Sequence, residues 1–149
     1  MGIAGRDLGF PFMLKNKKLA YDGRGNAVVR DANEIEAAFN RLGKCDIYAE
    51  KWCPFTKELA VMVVRTSTGL LNYPVVETIQ KNSICDVVIA PALLPYLVAE
   101  SAVGIAREAV EHFEGYGIFG VEMFLLPDDS IIINEIAPRY CIYFLYFVI

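Results

Sequence analysis

The stretch GVEMFLLPDDSIIINEIAPR (Gly120–Arg139) decides how this chain is read. Apolar runs flank Pro127-Asp128-Asp129-Ser130, a strong turn signal, so the stretch predicts a β-hairpin. With those residues as the loop, Leu126 pairs with Ile131 and Phe124 with Ile133. The same register sets Glu122 opposite Glu135 on one face. Like charges facing each other across a ladder repel. Apolar neighbours sharpen that repulsion unless a cation lies between the carboxylates or one of them is protonated. Hard oxygen ligands of this kind suit Mg²⁺ held jointly with substrate phosphates. A solvated hairpin end, or a different register, is the competing reading.

Composition narrows the function classes. The 149 residues suffice for one domain with a core, or for one to two lobes of something larger. The 55% hydrophobic content and mean hydropathy of +0.37 are high for a free-standing domain. Either the sheets are buried on both faces, or surfaces that partners normally cover are present. A net charge of −4 without a basic stripe argues against nucleic-acid binding. Locally, Lys15, Lys17, Lys18 and Arg24 are opposed only by Asp22. That segment suits a small phosphate-bearing ligand, or is an ordinary solvated run. Cys45, Cys53, Cys85 and Cys141 form no CxxC pair, and His112 is the sole histidine. Zinc and a disulfide framework are therefore disfavoured, and a reduced, cytoplasmic setting is expected. No signal peptide is evident. The apolar tail Tyr140–Ile149 falls short of the roughly 20 residues that a membrane span requires.

Periodicity predicts an α+β fold of mainly antiparallel sheets with two helices. Strands are expected at Phe10–Leu14, ending at Lys15, and at Ala27–Arg30, Ile47–Trp52 and Glu58–Arg65. A Ser67-Thr68-Gly69 turn leads to a return strand near Leu71–Val76. Residues 84–94 read as a strand followed by an irregular link. Asp31 and Glu34 have capping-box spacing ahead of a helix that Gly43 stops. A longer helix is expected from Tyr96 to Phe113.

Gly115-Tyr116-Gly117-Ile118-Phe119-Gly120 spells GxGxxG, but it leaves a helix and enters a strand, the reverse of a dinucleotide site. The loop Asp22-Gly23-Arg24-Gly25-Asn26 lies between strands. Its glycines permit successive N–H groups to line an anion-binding concavity, and Arg24 adds a guanidinium suited to phosphate. An ordinary hairpin turn explains the same letters. Lys15, close before this loop, favours the phosphate reading. Glu50 and Glu58 bracket KWCPFTK, a proline-broken link able to meet a purine edge and ribose hydroxyls, or simply surface glutamates around a loop. His112 reads as a solvated helix end and Trp52 as core.

Taken together, YPVVETI, LAYDGRGNAVV, AEKWCPFTKELAVMVVR and GIFGVEMF with INEIAPR resemble a known family. It is the ATP-grasp region of the phosphoribosylaminoimidazole carboxylase and carboxyaminoimidazole ribonucleotide synthetase family of purine biosynthesis. The resemblance runs from Gly9 to Arg139 and implies a partial ATP-grasp fold over residues 1–139, without the family's N-terminal domain. It implies ATP and Mg²⁺ as cofactors, bicarbonate and aminoimidazole ribonucleotide as substrates, and homo-oligomers. Lys15 and the loop Ala20, Tyr21, Asp22, Gly23, Arg24, Gly25 and Asn26 would hold ATP phosphates. Glu50, Lys51, Trp52 and Cys53 would form the adenine hinge, and Glu58 would bind ribose. Glu122 and Glu135 would bind Mg²⁺ beside Asn134, while Asp22, Arg24 and Arg139 would face bicarbonate and the ribonucleotide.

The family motif continues after Arg139 with Pro-His-Asn-Ser-Gly-His, whereas this chain reads YCIYFLYFVI over residues 140–149. The family usually carries histidine where Gln80 stands. The alternatives are another ATP-grasp carboxylase or ligase, or a truncated, non-catalytic product.

Overall fold

The computed structural model describes residues 2–18, 25–43, 46–81 and 84–139. The loop residues Ala20 to Arg24 and the tail 140–149 lie outside the described residues. The chain forms two units, Met1–Cys53 with Lys81–Ile84, and Pro54–Gln80 with Cys85–Ile149.

The first unit holds helix α1 (Gly2–Leu8), strands β1 (Phe12–Asn16) and β2 (Asn26–Val29), helix α2 (Ile35–Arg41) and strand β3 (Ile47–Lys51). Its sheet is antiparallel in the order β2-β1-β3. Alternation buries Phe12 and Leu14 of β1 with Ala27 and Val29 of β2, and α2 adds Ala38 and the adjoining Leu42. Gly43 ends α2 at φ 77°, as expected, but the capping box is corrected. Asp31 caps a 3-10 turn (Ala32–Glu34) ahead of α2 by accepting from the Asn33 N–H, and the Glu34 carboxylate accepts from the Arg30 N–H instead of the Asp31 N–H. Lys15 falls inside β1 rather than closing it. Helix α1 was not anticipated; it places Ala4 and Leu8 against the unit's core.

The second unit contains β4 (Lys57–Thr66), β5 (Gly69–Asn72), β6 (Val76–Lys81), β7 (Ile84–Ile89), α3 (Tyr96–Glu111), β8 (Gly117–Leu125) and β9 (Ile131–Arg139). Strand order is β7-β6-β4-β8-β9, with β5 on β4. The return strand expected near Leu71–Val76 is split. Strand β5 pairs with the end of β4 and β6 with its beginning, and Tyr73–Val75 interrupt them. Pro74 lies at the break, where it has no N–H to give a ladder.

One sheet face is core. Leu59, Val61 and Val63 of β4 and Val121, Met123 and Leu125 of β8 are buried beneath Val98, Ala102, Ala106 and Val110 of α3. Full burial of each larger aliphatic contributes about 1.5–3 kcal/mol. The Arg65 guanidinium donates to the Val110 and Glu111 carbonyls, satisfying groups that the end of α3 leaves without helical partners. Large apolar side chains nevertheless remain exposed, among them Leu93, Tyr96 and Leu97.

Candidate active site

In the first unit, Lys15 and Glu50 share the sheet face opposite the core. Lys15 pairs with Tyr48 across the ladder and Met13 with Glu50, so Glu50 lies diagonally from Lys15. The Lys15 ammonium reaches the Glu50 carboxylate at 2.7 Å. Asn26, where the glycine loop re-enters β2, pairs with Lys15 from the other side. Gly25 takes φ 106°, a conformation that a side chain would strain. Lys51 ends β3, with Trp52 and Cys53 in the irregular link after it. Sequence reasoning named both Lys15 and Glu50 but did not connect them.

In the second unit, the face opposite α3 carries the carboxylates. Glu122 pairs directly with Glu135, as expected, but the route differs from the expected register. Leu125 pairs with Ile131, Phe124 with Ile132 and Met123 with Ile133, so the Leu126–Ile131 and Phe124–Ile133 pairings are corrected. The reversal closes with the Leu126 N–H donating to the Ser130 carbonyl, and Asp129 is left-handed at φ 63°. Asp128 accepts from both the N–H and the hydroxyl of Ser130. An irregularity between Glu122 and Met123 leaves Asn134 as the extra residue of β9, and this bulge restores the two glutamates to opposition.

Burial, then the charge of Glu135, raises the Glu122 carboxyl above its ordinary range, and Arg139 works against them. Arg139 donates to Glu122 Oε1 at 3.1 Å. Its side chain passes Gly120, where a Cβ would lie 3.2 Å from the Arg139 Nε. Ala60 of β4 pairs with Glu122, and Glu58 with Phe124, so Glu58 lies diagonally from Glu122 on the same face. Burial and the charge of Glu122 raise Glu58 as well, opposed by a hydrogen bond from the Gln80 amide. Gln80 belongs to this cluster through strand alternation, two residues beyond Thr78, the partner of Glu58. Sequence reasoning had noted Gln80 only as a departure from the family pattern. Among the described residues no group of three or more His, Cys, Asp or Glu side chains is arranged to hold a metal ion by itself. A pair of carboxylates is therefore what this face offers a cation, a number that suits Mg²⁺ sharing its shell with phosphates.

Comparison with known proteins decides the family. The chain matches the ATP-grasp domain over residues 1–141. It belongs to the ATP-grasp family. This ATP-grasp chain is 57% identical over 136 residues to the phosphoribosylaminoimidazole carboxylase of Candida albicans, covering 91% of itself and 24% of that protein. It is 41% identical over 133 residues to the N5-carboxyaminoimidazole ribonucleotide synthase of Synechococcus elongatus, covering 89% of itself and 33% of that protein. The carboxyaminoimidazole ribonucleotide synthase of Aspergillus clavatus, solved with ATP, superposes with a TM-score of 0.91 at 50% identity, over 93% of this chain and 37% of that one. A second structure from that fungus, holding ADP and 5-aminoimidazole ribonucleotide, gives 0.84 at 48% identity, over 89% of this chain and 34% of that one. The chain spans about a quarter of the length of the Candida relative. No helix among the described residues is long and apolar enough to cross a membrane.

Proposed function

We propose that residues 1–139 are the nucleotide-binding part of an ATP-grasp enzyme that carboxylates aminoimidazole ribonucleotide, with ATP activating bicarbonate as carboxyphosphate. The observation that carries the chemistry is the direct opposition of Glu122 and Glu135 on the sheet face away from α3. The identity to the Candida and Synechococcus enzymes supports the choice of substrate.

Glu122 and Glu135, beside Asn134, fit a Mg²⁺ ion, because two facing carboxylates lose their mutual repulsion when a cation is shared between them. When bound, that ion would neutralise charge on the phosphoryl oxygens during transfer. The remaining roles belong to the chain's own groups. Lys15, held by Glu50, presents its ammonium toward phosphates, and the loop from Ala20 to Asn26 adds backbone N–H groups and Arg24. The backbone of Glu50, Lys51, Trp52 and Cys53 reads the adenine edge, and the Glu58 carboxylate accepts from ribose hydroxyls. Asp22, Arg24 and Arg139 meet the bicarbonate-derived anion and the ribonucleotide. Positioning and fixed charge do the catalytic work, since phosphoryl transfer asks little covalent chemistry of the protein. The free thiols of Cys53 and Cys85 fit a cytoplasmic setting, and homo-oligomeric assembly follows the family resemblance.

The test is a graft. Residues 1–139 replace the matching segment of the Candida albicans relative, and ATP hydrolysis is measured with and without aminoimidazole ribonucleotide. Hydrolysis stimulated by the ribonucleotide is expected. A folded graft whose ATP turnover ignores it refutes the substrate assignment.

A further inference from the structure

Strand β7 reads ICDVVI from Ile84 to Ile89 and forms one edge of the larger sheet, with β6 as its one neighbour among the described residues. Both of its faces are open: Ile84, Val87 and Val88 are 56%, 45% and 55% exposed, and Ile89 is half-buried. An edge of this kind normally carries a device that blocks further pairing. Strand β9, at the opposite edge, has several: the bulge at Asn134, Pro138, and the charges of Glu135 and Arg139. Strand β5 is only four residues long. Strand β7 has six residues and holds Asp86 alone among uncharged ones, with no proline, lysine or glycine. Its outer backbone groups are a template for one more strand.

We propose that this edge takes the β7 strand of a second copy, antiparallel, giving a two-fold dimer with one continuous sheet. The strand's own sequence selects the register. A two-fold axis between antiparallel neighbours stands normal to the sheet, so paired residue numbers differ by an even number and one residue meets its twin. An axis at Asp86 would oppose two carboxylates. Axes at Cys85 or Val88 would pair only three residues within the strand. An axis at Val87 sets Val87 against Val87, Cys85 against Ile89 and Asp86 against Val88. Each cross-copy pair then carries at most one charge, and β-branched residues meet at the centre. The strand is therefore its own complement, which favours a second copy over an unrelated partner. The contact closes on itself, because both copies spend the same edge in it. Five residues a side make a small interface, so the dimer is weak, with a Kd of about 10–100 µM. Nothing in this association depends on the nucleotide reading, and either can fail alone.

The experiment is sedimentation velocity of the full chain over about 5–500 µM. The wild type should pass from monomer to dimer and stop there. Val87→Lys opposes two ammonium groups on the axis and should weaken association at least about tenfold. Val88→Lys removes a comparable apolar side chain but sets each ammonium against the partner copy's Asp86, so it should dimerise within about threefold of the wild type. Val87→Cys should form a disulfide between copies on mild oxidation, because directly opposed Cα atoms lie about 4.5–5.5 Å apart, within disulfide reach. Peptide mapping by mass spectrometry should place that link between the two residues 87. The native Cys85, set against Ile89, should not link to its twin. Circular dichroism checks that each variant folds, and the Val87→Cys link decides the matter if Val87→Lys does not. A wild type that stays monomeric throughout or grows into open-ended polymers overturns the proposal, as does undiminished association of folded Val87→Lys. Oxidised Val87→Cys with no link between the two residues 87 overturns it as well.

Discussion

Replacing Glu135 by glutamine should stabilise the chain and weaken its hold on Mg²⁺-bound nucleotide, two effects of opposite sign from one substitution. Directly opposed residues in an antiparallel pair have Cα atoms about 4.5–5.5 Å apart. Two unit charges about 5 Å apart repel by about 3 kcal/mol at an effective dielectric of about 20, and by about 0.8 kcal/mol in water. The Glu122 side chain is 37% exposed and is met by Arg139 at 3.1 Å, so the solvent end of that range applies. The expected gain is about 0.5–1 kcal/mol, the size of other cross-strand charge effects. In urea, with a slope of about 2 kcal/mol/M, the midpoint should rise by about 0.3–0.5 M. The gain must also depend on pH with a definite sign. Because burial and Glu135 raise Glu122 above its ordinary value of 4.5, the folded chain keeps that proton where the unfolded chain has lost it. Stability from this group is therefore present at low pH and falls as pH rises through the raised value. Repulsion needs both charges, so the difference between variant and wild type is largest at neutral pH and shrinks on acidification. A Glu135→Gln chain that is less stable at pH 7, or whose advantage grows in acid, refutes the reasoning.

Three other substitutions test other parts of the structure. Lys15→Ala should leave the urea midpoint nearly unchanged, because the ion pair with Glu50 is partly solvated, but should weaken ATP binding about tenfold by calorimetry. Lys57→Ala strands the Glu77 carboxylate, whose side chain is only 15% exposed, and should cost about 1–2 kcal/mol in urea unfolding. Met123→Ala opens a cavity under α3, where Met123 is 1% exposed, and should cost about 2–5 kcal/mol by the same measurement.

Much of this was legible in the sequence where local chemistry governs. Gly43 marked the end of the first-unit helix because a left-handed stop is written in a single residue, while Asp31 marked the 3-10 turn that leads into it. The strand at Glu58–Arg65 was legible because β-branched and apolar residues crowd it, whereas the burial of Leu59, Val61 and Val63 under α3 emerged only with the fold. The opposition of Glu122 and Glu135 was anticipated through a register that the hairpin does not use. A longer reversal and a bulge at Asn134 offset one another, and neither leaves a mark that an apolar run can betray. Helix α1 was missed because its short segment GIAGRDL gains its reason to be helical from packing Ala4 and Leu8 on the core. The Lys15–Glu50 and Glu58–Gln80 partnerships required knowing which strands are neighbours, which residue spacing alone does not disclose.

The central claim is that the facing glutamates exist to share a cation brought with a nucleotide. Calorimetric titration of the chain with ATP, with Mg²⁺ present and then chelated, tests it most directly. Saturable binding that weakens by at least about tenfold on chelation is the predicted result. Binding of equal strength with and without the ion, or no nucleotide binding at all, would contradict it.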